Sequence, residues 1–204
     1  MEKRFEDFLK HVETAVREKR IPGAVAAIGR GDELYALKAY GNAIITPVVE
    51  PMTEDTLFDV ASLSKLVGVW SGIVQYNDLV CPYAMMRLAG AYANGGTVVE
   101  PSLLGQSSKT TQLVSADTAQ KIASMMNYNV VYHYGQNRFP GLNISAKTGT
   151  AEVGDGKAAH GWFVGFLNDE EHPYAFVCLV ENGGSGLGAA GSVINTVLQA
   201  AIAK

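Results

Sequence analysis

Ser62-Leu63-Ser64-Lys65 puts a hydroxyl and a primary amine three positions apart. On a helix, positions i and i+3 share a face, so Lys65 can reach the Ser62 oxygen. A serine hydroxyl is a weak nucleophile until a base takes its proton, and a lysine desolvated near a second cation loses some of its preference for the charged form. The pair has the makings of a nucleophile and its base; the plainer reading is an N-cap serine followed by a surface lysine. Far along the chain, Lys147-Thr148-Gly149-Thr150 combines a cation, two hydroxyls and a glycine that lets a ligand approach the backbone. At a strand edge such a run can hold a carboxylated, peptide-like substrate by strand addition. Standing alone, it reads as a solvated strand end turning through glycine.

These groups need elements to position them. Phe5, Phe8, Leu9, Val12 and Val16 recur at steps of three and four, which predicts an amphipathic helix ending before Pro22-Gly23. Two strands, Ala24 to Ile28 and Glu33 to Ala39, follow as a hairpin around Gly29-Arg30-Gly31-Asp32. Residues 41–56, with Pro47 and Pro51, read as an irregular crossing segment. From Ser62, the residues Leu63, Leu66, Val67, Val69, Trp70 and Ile73 form an apolar helical stretch central to the core. Pro82 to Asn94 predicts a helix stopped by Gly95-Gly96, and Ser115 to Met126 a helix N-capped by Ser115. Three strands, Asn143 to Thr150, Gly161 to Leu167 and Tyr174 to Glu181, precede a helix over Ala189 to Ala203. Two strands before the helical block and three after it predict one five-stranded antiparallel sheet. The N- and C-terminal helices cover one face and the middle helices the other, an α/β sandwich in a single domain, 1–204.

Composition narrows the function classes. The 204 residues are 48% hydrophobic and 18% charged, enough to bury a core and incompatible with intrinsic disorder. A net charge of -4 with no basic stripe argues against a nucleic-acid partner. No apolar run reaches membrane-spanning length, and the N-terminus has no export-signal pattern, so no membrane segment and no address are expected in this chain. Cys81 and Cys178 are too few and too isolated for a disulfide framework or a metal site, and Cys178 in Phe176-Val177-Cys178-Leu179-Val180 reads as a buried structural thiol. No metal and no cofactor is expected; the expected partner is a small-molecule substrate.

Taken together, Ser-x-x-Lys before a helical block and Lys-Thr-Gly on a later strand are specific, and the sequence resembles the penicillin-recognising serine enzymes. Residues 1–72, with Ile21-Pro22-Gly23-Ala24-Val25, Asp55-Thr56-Leu57-Phe58 and Ala61-Ser62-Leu63-Ser64-Lys65, look like the front of class C β-lactamases and related esterases. Residues 82–204 look like a penicillin-binding-protein transpeptidase domain, through Ala91-Tyr92-Ala93-Asn94-Gly95-Gly96-Thr97, Lys147-Thr148-Gly149-Thr150-Ala151-Glu152 and His160-Gly161-Trp162-Phe163-Val164-Gly165-Phe166. The resemblance implies that Ser62 is acylated and that Lys65 accepts its proton. Lys147 then helps set the amine's pKa and attracts the substrate carboxylate, while Thr148 and Thr150 supply hydroxyl contacts beside Gly149. The implied oxyanion hole is the backbone N–H pair of Ser62 and Thr150. Implied substrates are β-lactams, D-alanyl peptides or small esters. Relatives act in the periplasm or outside the cell.

The stretch between Lys65 and Lys147 is much shorter than the helical subdomain these enzymes insert there, which carries their third motif, Ser-x-Asn or Tyr-x-Asn. Tyr92-Ala93-Asn94 spells that motif, but its Asn-Gly-Gly surroundings are those of a structural helix terminator. Asn77, and Tyr128 or Asn129, are the substitutes in reserve. Glu152 and His160 read as a turn residue and an ordinary hydrogen-bonded strand end, so no deacylating group is named. The alternative to an acyl-enzyme hydrolase is a catalytically impaired or inert penicillin-binding scaffold, including an engineered chimera or a minimised protein. A reduced helical lobe also predicts self-association, as a homo-oligomer, through the segment between Val74 and Leu104.

Overall fold

The computed structural model describes residues 3–45, 48–59, 79–100 and 109–203. The first helix, α1 (Lys3–Arg17), buries Leu9 and Val12. Its end is a hydrogen-bonded reversal: Arg20 N–H donates to Ala15 O (2.9 Å) and Lys19 N–H to Val16 O (2.9 Å), with Lys19 left-handed at φ 56°. The predicted hairpin is present as β1 (Gly23–Arg30) and β2 (Glu33–Ile44), turning through Gly31 at φ 58°.

The chain closes on itself at β1, which pairs antiparallel with β10 (Tyr174–Val180) from Ala24 opposite Val180 to Arg30 opposite Tyr174. β10 pairs with β9 (His160–Leu167), and β9 with β8 (Ile144–Ala151). The five predicted strands therefore form one antiparallel sheet built from both ends of the chain. The structure adds a sixth: β3 (Glu50–Pro51), inside the expected irregular segment, pairs with Asn42 and Ile44 of an extended β2, giving the order β3-β2-β1-β10-β9-β8. Pro51 is tolerated there because an edge strand needs no donor on its outer side. Further short strands lie outside the sequence expectation: β4 (Phe58–Asp59) pairs with β5 (Leu79–Val80), and β6 (Thr97–Val99) with β7 (Thr110–Gln112). Of these, the β4 residues flank the expected nucleophile segment.

Among the described residues, two helices cover one face. α2 (Pro82–Ala93) starts at Pro82 after Cys81 and buries Met85, Met86, Ala89 and Tyr92 at helical spacing. It stops as predicted: Gly96 N–H donates to Ala91 O (2.8 Å), with Gly95 and Gly96 at φ 56° and 86°. α3 (Ala116–Tyr128) is capped by Ser115, whose hydroxyl accepts from Thr118 N–H at 3.2 Å. Instead of ending near Met126, α3 continues into a π-helical segment, Asn129–Gly135, and a short 3₁₀ turn, Gln136–Arg138. Val25, Ala27, Trp162, Val164, Val177 and Leu179 meet these helices from the sheet.

The opposite face packs against α1 and the last helix, α4 (Ser192–Ile202), as predicted. A π-helical turn, Gly186–Gly191, precedes α4 where ordinary helix was expected from Ala189. Phe139, Phe163 and Phe176 stack in a ladder under this face, with centroids 5.5 and 5.9 Å apart. A fully buried aromatic of this kind contributes about 2–3 kcal/mol in transfer free energy, so this ladder fixes β9 and, through it, β8.

Candidate active site

β8 carries the second of the two chemical signatures, and it lies at the free edge of the sheet. Residues directly opposite in an antiparallel pair project to one face. Lys147 stands opposite Val164 and Thr148 opposite Phe163, so the ammonium and the first hydroxyl leave β8 on different faces. Lys147 is half-buried, and its Nζ donates to Thr148 O at 2.8 Å. Thr150 is exposed, and its Oγ1 accepts from Gly186 N–H at 3.4 Å.

The outer edge of β8 is partly occupied. Asn127 Nδ2 donates to Ile144 O at 2.9 Å, and Thr148 N–H donates to the Tyr134 hydroxyl at 3.1 Å. The backbone polar groups of every second residue of a strand point to one side. Residues 144, 146, 148 and 150 therefore present theirs outward, while the odd-numbered residues bond β9. The Thr150 N–H, which the family resemblance implies as an oxyanion donor, emerges on this outer edge just beyond the part that Asn127 and Tyr134 cover. Past Thr150, a groove of about 1000 Å³ lies across the end of the sheet, with Glu152, Val153 and His160 on one side and Ile44, Glu50 and Pro51 of β2 and β3 on the other.

Behind β8, Gly186 allows a close approach: a Cβ there would overlap Gly149 O and Trp162 O. The strand-to-helix turn thus supports the carbonyl side of the Lys-Thr-Gly run. His160 is held by the backbone, its Nδ1 accepting from Asn182 N–H at 3.1 Å, with its ring edge-on to Phe58. Beside it, burial pushes the Glu181 carboxyl up to about 7, against the pull of Lys157. Cys178 is buried and its thiol is pushed up to about 12, an inert core residue. Among the described residues no three metal-ligating side chains gather. No helix among them is long and apolar enough to cross a membrane.

Of the residues singled out from sequence, Lys147, Thr148, Gly149 and Thr150 share this edge strand. Ser62, Lys65 and Asn77 lie outside the described residues. Tyr92 is buried in the core under α2, and burial raises its phenol pKa; Asn94 closes α2, with its side chain donating to Thr97 O at 3.1 Å. Tyr128 is exposed and stacks on Tyr132 at 4.4 Å, while Asn129 ends α3 with its N–H on Met125 O and Met126 O. The residue of this segment that touches β8 is Tyr134, which sequence reasoning passed over. Its signal was the cluster Tyr128, Tyr132 and Tyr134 upstream of the Lys-Thr-Gly strand.

An antiparallel sheet joined from both chain ends, helices on both faces and Lys-Thr-Gly on the edge strand define the β-lactamase-like fold of the penicillin-recognising proteins. Residues 65–199 match the family described as penicillin binding protein transpeptidase domain, and the chain belongs to that family. Residues 7–73 match the β-lactamase family, as the two-part resemblance implied. The peptidoglycan D,D-transpeptidase PbpA of Mycobacterium tuberculosis is 30% identical over 147 residues, covering 64% of this chain and 30% of that protein. The PbpA of Mycolicibacterium smegmatis is 26% identical over 205 residues, covering 93% of this chain and 40% of that protein. The chain thus spans roughly a third of the length of the curated relatives it matches. Among solved structures, the penicillin G acyl-enzyme complex of penicillin-binding protein A from M. tuberculosis is 25% identical with a TM-score of 0.52, covering 75% of this chain and 38% of that one. The transpeptidase domain of FtsI4 D,D-transpeptidase from Legionella pneumophila has a TM-score of 0.71 over 100% of this chain and 98% of that one; at 16% identity it attests the fold alone.

Proposed function

We propose that this chain forms an acyl-enzyme on Ser62 with β-lactams, D-alanyl peptides or small esters, in the manner of a DD-peptidase. The Ser62 hydroxyl attacks the substrate carbonyl as Lys65 takes its proton, and the oxygen of the tetrahedral intermediate is stabilised by the N–H groups of Ser62 and Thr150. Lys65 returns the proton to the departing group, an amine from a β-lactam or peptide and an alcohol from an ester, leaving an acyl ester on Ser62. Lys147 supplies positive charge beside the amine and draws in the substrate carboxylate. Attack on the ester by water completes a hydrolysis, and attack by an amine completes a transfer.

The observation that carries this reading is that the transpeptidase match extends from Lys65 across β8 to residue 199. Both halves of the chemistry, the Ser62-to-Lys65 segment and the edge strand, fall within or adjoin the matched region. The relatives are named D,D-transpeptidases, and one of the similar structures is a penicillin G acyl-enzyme complex. Hydrolysis of a chromogenic cephalosporin and of a short-chain nitrophenyl ester, each by parent and Ser62→Ala protein, tests it. Turnover that falls to background in the variant is expected; equal rates for both proteins overturn the reading.

A further inference from the structure

We propose that Tyr134 restricts this site to chain ends: it closes the outer edge of β8 upstream of Thr150 and offers its own O–H to the terminal carboxylate of an extended, peptide-like ligand. The inference rests on reading β8 as the substrate strand.

The phenol's hydrogen bonds fix where its proton can go. Tyr134 oxygen accepts from Thr148 N–H at 3.1 Å and from Thr148 Oγ1–H at 3.3 Å. A tyrosine hydroxyl has one proton to give. Both bonds to Thr148 are accepted, so that proton points away from Thr148, and no acceptor takes it among the described residues. Accepting two bonds polarises the O–H and makes it a better donor. The ring is half-buried against Phe163 at 6.2 Å between centroids, which holds the hydroxyl at this place on the edge.

A strand adding to β8 pairs with its outward backbone groups. Upstream of Thr150 those at Thr148 and Ile144 are already bonded, to Tyr134 and Asn127. An added chain therefore pairs at Thr150 and must stop there on the Tyr134 side, while its remainder extends past the other end of β8, beyond Ala151. A chain that adds antiparallel to β8 points its C-terminus at Tyr134; that end presents a carboxylate, which only accepts hydrogen bonds, and the free phenol proton is the donor that meets it. Sequence reasoning gave the carboxylate to Lys147 and hydroxyl contacts to Thr148 and Thr150; in the structure the Thr148 hydroxyl donates to Tyr134, which leaves the phenol as the donor at this point of the edge.

The test is an NMR titration of the unmodified protein and of Tyr134→Phe with N-acetyl-D-alanyl-D-alanine and with its C-terminal amide. Parent protein is expected to bind the acid about tenfold more tightly than the amide. Tyr134→Phe, which keeps the ring on Phe163, is expected to bind both at the amide's affinity. Equal binding of acid and amide by the parent, no binding of either, or an acid preference that survives in Tyr134→Phe overturns the proposal. Ser62 acylation is scored separately by mass. A Tyr134-dependent acid preference without a Ser62 adduct sustains this proposal and defeats the acyl-enzyme reading; an adduct with an unchanged preference does the reverse.

Discussion

Lys147 and Thr148 are neighbours in sequence and stand on opposite faces of the sheet, Lys147 opposite Val164 under the middle helices and Thr148 opposite Phe163 under the terminal ones. The two residues therefore serve different surroundings, and their substitutions separate. Lys147→Met keeps the aliphatic stem and removes the charge. Acylation by penicillin is expected to fall by about 100-fold with an unchanged melting midpoint. Thr148→Val loses the hydroxyl bond to Tyr134 and keeps the ammonium, so its acylation rate stays closer to the parent's. Time-resolved mass measurement of the adduct distinguishes them, and a parent-like rate in Lys147→Met removes Lys147 from the mechanism.

Gly186 supports β8 from behind. A methyl group there would have to displace Gly149 O or Trp162 O, both of which belong to the paired strands β8 and β9. Gly186→Ala is expected to cost about 1–3 kcal/mol of stability through overpacking. It is also expected to slow acylation, because the shift reaches Thr150. Urea unfolding together with the acylation rate checks both; an unperturbed variant shows that the turn yields without moving the strand.

Much of the site's scaffold was legible in the sequence because local chemistry and global packing agree there. Gly95-Gly96 after an apolar helical run admits few readings other than a helix stop, and Ser115 before Asp117 and Thr118 is an N-cap by side-chain chemistry. The strands β9 and β10 announce themselves by apolar runs long enough to be buried on both faces, and β8 by its Lys-Thr-Gly-Thr run. β3 was not legible: two residues, one a proline, contain no periodicity, and their pairing follows from where β2 ends. The π-helical continuation of α3 was hidden for a related reason. Asn129-Val130-Val131-Tyr132 lacks a spacing that distinguishes π from α geometry, and only tertiary contact shows that Tyr134, and not Tyr128, meets β8. The pairing of Ser62 and Lys65 with this edge rests on the sequence and the family, since those residues lie outside the described ones.

Lys19 holds a left-handed conformation at φ 56° to close α1, a position glycine occupies without strain. Its side chain is exposed. Lys19→Gly is expected to stabilise the fold by about 0.5–1 kcal/mol, read by thermal or urea unfolding. A destabilised variant would show that the lysine makes a contact worth more than the strain.

Glu181 is 5% exposed at the end of β10, and its Oε2 has no hydrogen-bond partner. Its carboxyl is pushed up to about 7 from the usual 4.5. Below both values it is protonated in the folded and unfolded chains alike and has no effect on stability. Between them the unfolded chain ionises first, so the folded state loses stability as pH rises, and the deficit is complete above about pH 7. Glu181→Gln is expected to match the parent near pH 4 and to exceed it by about 2–3 kcal/mol near pH 8. Unfolding curves across that range decide; a difference that does not change with pH means that the carboxyl titrates normally in the folded protein.

The central claim is that Ser62 becomes acylated within a cleft whose other wall is β8. Intact mass after incubation with penicillin G, followed by peptide mapping, measures that bond. The account predicts a single adduct on the peptide containing Ser62, absent in Ser62→Ala and slowed in Lys147→Met. An unmodified mass after prolonged incubation with no penicillin consumed, or an adduct that persists in Ser62→Ala, would contradict it.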